Sequence, residues 1–147
     1  MVRIDFHFNA PDKHVYVCRL ARKARAAGRQ LVIYSSDAQL LSELDRQLWT
    51  FSEFDFLPHC AAGDALAART PILLLGDDTE DSGPELPHHE VLINLDHRWP
   101  PLFTRFERLI EIVTTDNADR EAGRRRWKFY KDRGYDLTPH DQARHGQ

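Results

Sequence analysis

The chain has 147 residues, of which 41% are apolar and 29% charged, and its formal net charge is −3. That length favours one domain able to bury roughly two-thirds of its unfolded surface, and the overall charge gives no reason to expect a nucleic-acid binder. Two cysteines, Cys18 and Cys60, exclude a disulfide framework and read as thiols of a reducing cytoplasm. The N-terminus carries no apolar leader, and no apolar run approaches the ~20 residues of a membrane span, so a cytoplasmic protein with no membrane partner is expected.

In chain order, Val2 to Asn9 alternates apolar and polar residues, a period of two that predicts a strand with one buried face. Pro11-Asp12 opens a helix from about Lys13 to Ala27, stopped by Gly28. Gln30 to Tyr34 reads as a strand buried on both faces. Ser36-Asp37 caps a second helix whose Leu40, Leu41, Leu44 and Leu48 form one stripe. A loop dense in aromatics follows, with a short strand expected around Phe56 and Leu57, and then a small-residue connector from Ala61 to Thr70. Pro71 to Gly76 and Val91 to Leu95 read as strands on either side of a Pro-broken acidic loop. Pro100-Pro101 is expected to start a helix with the stripe Leu102, Phe103, Phe106, Leu109, Ile110, Val113. Thr114 to Asn117 recaps a final helix that Gly134 ends.

Strand–helix units in succession favour parallel pairing with right-handed crossovers. The expectation is a Rossmann-like three-layer α/β domain over residues 1–137. It has a mostly parallel sheet of four or five strands and helices on both faces. The polar residues 138–147 are expected to form a frayed tail.

Such a fold often serves nucleotide enzymes, yet no two of the glycines at 28, 63, 76, 83, 123, 134 and 146 fit a G-x-G-x-x-G or a Walker-type turn. The eight histidines show no spacing that would fix a metal on one side. Ser35-Ser36 has no base and orienting group in the pattern, and helix capping explains it. No catalytic residue, metal or cofactor is expected.

Charge is distributed unevenly. Asp77 to Glu85 holds five acids and no base, whereas Ala118 to Tyr135 holds seven bases against three acids and four aromatics. At 3.6 residues per turn Arg120, Arg124, Trp127, Lys128 and Lys131 share one side of the last helix, while Ala118, Ala122 and Phe129 lie elsewhere and can pack inward. An exposed Trp among cations suits either a single-stranded nucleic acid stacking on it or an acidic peptide with a terminal aromatic. Trp49, Phe51, Phe54 and Phe56, followed by Pro58, form a second surface, divided between core and a partner interface.

Several stretches together resemble a known family. They are Leu44-Asp45-Arg46-Gln47-Leu48-Trp49 with Phe56-Leu57-Pro58-His59, then Val91-Leu92-Ile93-Asn94-Leu95, and the ending from Arg124 through Trp127, Lys128, Tyr130 and Gly134 to Leu137. In that order they resemble the chi subunit of bacterial DNA polymerase III holoenzyme. The resemblance implies a non-catalytic accessory subunit of the clamp loader, in contact with DNA mostly indirectly. It implies pairing with a psi subunit through aromatics matching Trp49, Phe56 and Pro58. It also implies binding of the acidic C-terminal tail of single-stranded DNA-binding protein by residues matching Val113, Arg120, Arg124 and Trp127, with Lys128 and Gly134 nearby. Arg120 stands where a lysine is common and Trp127 where a tyrosine is common. Both replacements keep charge or ring. The rival reading is direct single-strand nucleic-acid binding by the same helix.

Overall fold

Short apolar runs bounded by turn residues build the centre of the molecule, as expected for parallel strands covered on both faces. The computed structural model describes residues 1–50, 57–77, 86–100 and 102–143. Its strands are β1 (Arg3–Ala10), β2 (Leu31–Tyr34), β3 (His59–Ala61), β4 (Ile72–Leu75), β5 (Val91–Asn94), β6 (Arg108–Thr114) and β7 (Leu137–Asp141). Its helices are α1 (Lys13–Ala26), α2 (Ala38–Thr50) and α3 (Asn117–Asp132). The strands form one seven-stranded sheet in the order β3-β4-β2-β5-β6-β1-β7, and every pairing is parallel.

Alternation along the strands divides the core in two. Leu31, Ile33 and Ile72 pack with Val17, Ala21, Leu44 and Leu48, so α1 and α2 cover one face. Val32, Tyr34 and Leu109 pack with Phe103 and Tyr130, so α3 covers the other. This is the three-layer α/β arrangement. Each helix opens on an aspartate that accepts backbone N–H groups left free by the first turn: Asp12 from Val15 at 3.0 Å, Asp37 from Gln39 at 3.0 Å, and Asp116 from Asp119 at 3.2 Å.

Three expectations need correction. The helix expected from Pro100 is a single 3-10 turn at Phe103–Arg105 followed by β6. The stripe from Leu102 to Val113 mimics a helical period, but Leu109 to Val113 is buried without interruption, which is the mark of a central parallel strand. Leu102, with φ of 62°, also stands in the left-handed region that a helix cannot continue. The residues read as a frayed tail contribute Thr138 to Asp141 to β7, which pairs with β1 from Ile4–Leu137 to Phe8–Asp141. The short strand expected around Phe56 and Leu57 lies instead at His59–Ala61. Leu57 is buried just before it, and Phe56 lies outside the described residues.

Candidate functional site

The final helix is held to the sheet by a stripe with spacings of three and four: Asp119, Ala122, Gly123, Arg126 and Tyr130 are all buried. Arg126 is 1% exposed, and its Nε donates to Glu111 Oε1 at 3.0 Å. Asn94 Nδ2 donates to the same oxygen at 2.8 Å, and the Tyr130 hydroxyl donates to Glu111 Oε2 at 2.5 Å. Arg126 Nη1 reaches the His97 carbonyl at 2.9 Å. Burial pushes the Glu111 carboxyl up against the opposing pull of Arg126, and it raises the Tyr130 hydroxyl as well. At the start of the helix Asp119 accepts from the Thr114 N–H at 2.7 Å and from Lys13 Nζ at 3.2 Å. Burial alone would raise the Asp119 carboxyl; the Thr114 and Lys13 contacts outweigh it and hold the group below its ordinary value.

These anchors position a groove of about 480 Å³ between α3 and the sheet, lined by Phe6, Phe8, Asn9, Val113, Thr114, Arg120, Gly123, Arg124, Trp127 and Pro139. No carboxylate is among them. Gly123 allows the close approach that shapes its floor: a Cβ there would stand 2.8 Å from Val113 Cγ2. Trp127 is half-buried, its ring centroid 5.1 Å from that of Phe6 in an edge-on contact. Arg120 and Arg124 are exposed on the rim and, among the described residues, make no ion pair or side-chain hydrogen bond. A bulge between His7 and Ala10 turns the end of β1, with Asn9 at φ of 59°. Asn9 Nδ2 donates to Asp141 Oδ1 at 2.9 Å, which ties β7 and its Pro139 into the wall. Apolar walls under two unpaired guanidiniums can take a ligand that is both anionic and hydrophobic.

The family profile described as DNA polymerase III chi subunit, HolC, matches residues 1–138. The chain belongs to the DNA polymerase III chi subunit family. A DNA polymerase III subunit chi from Pseudomonas aeruginosa is 36% identical over 95% of this chain and 96% of its own length. One from Haemophilus influenzae is 32% identical over 82% of this chain and 81% of its own, and one from Escherichia coli is 24% identical over 83% and 80%. The family places the chain in DNA replication.

Of the residues singled out for tail binding, Val113, Arg120, Arg124 and Trp127 meet in the groove. Lys128 and Gly134 are not part of its lining. Lys128 is exposed and pairs with Asp132 at 2.9 Å, and Gly134, at φ of 84°, ends α3. The inward side of α3 also differs from expectation. Ala118 is exposed, whereas Ala122 is buried and Phe129 packs against the core while stacking on Trp99 at 3.7 Å; Trp127 turns partly inward beside Gly123 and Val113.

Trp49 sits on the last turn of α2, half exposed, its ring 4.2 Å from that of buried His59, with Pro58 partly exposed beside it. Phe56, the third residue matched to a partner surface, is outside the described residues. Ser35 accepts the Asp37 N–H and Ser36 donates to Asp96 at 2.7 Å, both local turn contacts. Among the described residues no cluster of His, Cys, Asp or Glu is disposed to hold a metal, and no helix is long and apolar enough to cross a membrane.

Proposed function

We propose that this chain is a non-catalytic, cytoplasmic accessory subunit of the DNA polymerase III holoenzyme. In this reading it captures the acidic C-terminal tail of single-stranded DNA-binding protein in the groove along α3. It links that protein to the clamp loader through a psi-type subunit at the Trp49–Pro58 surface. The observation that supports this best is the pairing of Arg120 and Arg124, both free of partners among the described residues, with apolar walls of Phe6, Phe8, Val113, Trp127 and Pro139.

The tail ends in Asp, Ile, Pro and Phe in the resembling family. The guanidiniums hold its aspartates and terminal carboxylate by charge-assisted hydrogen bonds, and the final ring enters the groove, where its burial adds what exposed charge cannot. Because the ionic contacts lie at the surface, affinity falls as salt rises. Trp127 is packed against Phe6 and therefore acts as a wall, which favours the peptide over a base stacked on an open indole. Calorimetry of the full chain with a peptide of that ending tests the reading. Removing the final Phe abolishes binding, and Arg124→Ala and Trp127→Ala each weaken it while the domain stays folded. Unchanged affinity in both variants would overturn this site. Loss of psi-subunit co-purification on Trp49→Ala tests the second surface separately.

A further inference from the structure

A second cationic surface lies on the face of the sheet opposite the groove. From Lys13 to Gln30 there are six Lys or Arg residues, Lys13, Arg19, Arg22, Lys23, Arg25 and Arg29, and not one Asp or Glu. Lys13 is engaged with Asp119. The helix turns Val17, Cys18 and Ala21 inward, which leaves Arg19, Arg22 and Lys23, three or four residues apart, on its outer face. Arg19, Lys23 and Arg29 are exposed and, among the described residues, have no salt bridge or side-chain hydrogen bond. Lys23 and Arg29 also border a recess with Arg108, which is itself paired with Asp5, so the exposed cations continue past the end of α1 to the N-terminal ends of the central strands β5 and β6. Glu90 and Glu107 bound the surface there.

In a chain of net charge −3, α1 carries five cations and no acid, the reverse of the overall balance. Like charges one turn apart repel, at a cost of a few tenths of a kcal/mol per pair, and an anionic partner relieves that cost. The two cationic surfaces differ in what they offer beside charge. The groove has apolar walls. The outer face of α1 from Arg19 to Arg29 has no exposed aromatic or large aliphatic side chain, so it has no seat for the anchor residues on which peptide binding depends. A partner held by repeated charge alone is a polyphosphate backbone.

We infer that the outer face of α1, through Arg19, Lys23 and Arg29, docks the sugar–phosphate backbone of a nucleic acid without reading its sequence. Strand and tail then occupy opposite faces of the sheet and do not compete for one site.

The test is fluorescence anisotropy of a labelled oligothymidylate titrated with the full chain. Three phosphate contacts on a single strand predict a salt slope of about −2, or roughly 20-fold weaker binding between about 50 and 200 mM salt. The triple variant Arg19→Ala/Lys23→Ala/Arg29→Ala, on exposed positions, keeps the thermal midpoint and loses binding by tenfold or more. Arg124→Ala leaves oligonucleotide affinity unchanged. The inference is overturned by any of three results: no wild-type binding at about 50 mM salt, full affinity in the folded triple variant, or tighter binding of polyglutamate than of the oligonucleotide at equal charge. The last would make the partner an acidic protein segment.

Discussion

Arg124 and Arg126 lie two positions apart on the same helix and meet opposite environments. Arg124 is on the groove rim with no partner among the described residues, and Arg126 is sealed beneath the helix against Glu111 and the His97 carbonyl. The rotation of one helix decides which arginine is a hook and which is a fastener. The buried one fixes α3 on β6; the exposed one is thereby held where a ligand can reach it. A run of three arginines therefore carries at least two physical roles, and composition alone cannot separate them.

Breaking the fastener has the largest expected effect. Arg126→Ala leaves Glu111 buried beside a void and lowers unfolding free energy by about 3–5 kcal/mol, read by urea denaturation. Gly123→Ala comes next. Its Cβ meets Val113, and the overpacking, about 1–3 kcal/mol, outweighs the ~1 kcal/mol gained in helix propensity, so the thermal midpoint falls. Arg124→Ala inverts the pattern. Unfolding free energy changes by no more than about 0.5 kcal/mol, while tail-peptide affinity drops about tenfold, the equivalent of roughly 1.4 kcal/mol.

A subtler contrast lies along β1, where Phe6 and Phe8 line the groove and His7 faces the Tyr16 hydroxyl on the other side. Burial, aided by His140, lowers the His7 imidazole from 6.5 to about 4. The unfolded chain therefore takes up this proton at higher pH than the folded one. Stability is full above about pH 6.5 and declines as pH falls toward 4, and His7→Gln flattens that part of the profile. Smallest of all, Lys128→Ala removes an exposed pair with Asp132 and shifts unfolding free energy by less than about 0.5 kcal/mol.

Much of the fold could be read in advance because most elements obeyed one period. The helices at Lys13 and Asn117, the buried runs at Leu31, Ile72 and Val91, and the stop at Gly134 all stand where their residues imply. β6 escaped because its apolar residues satisfy a helical stripe and a buried strand at once, and only its neighbours β5 and β1 decide between them. β7 escaped because Leu137-Thr138-Pro139-His140-Asp141 is polar and contains a proline that a central strand would reject; at the sheet edge it is tolerated. That omission hid Pro139 from the groove wall. Phe8 and Asn9 were visible as strand residues, but the bulge that aims them is not encoded in any periodicity. Arg126 did carry a signal, since it falls on the stripe of Ala122, Gly123 and Tyr130, though a cation there reads as solvated until Glu111 is placed beneath it.

The sheet order has a further consequence for when the groove can exist. Among the described residues β1 finds its hydrogen-bonding neighbours in β6 and β7, more than a hundred residues later. Contacts of such long sequence separation form late and slowly. The groove takes its walls from Phe6 and from Pro139, so a nascent or truncated chain with most of its helices and half its sheet still lacks the site. Competence to bind depends on residues more than a hundred positions apart, and a ligand of the groove reports that they have met.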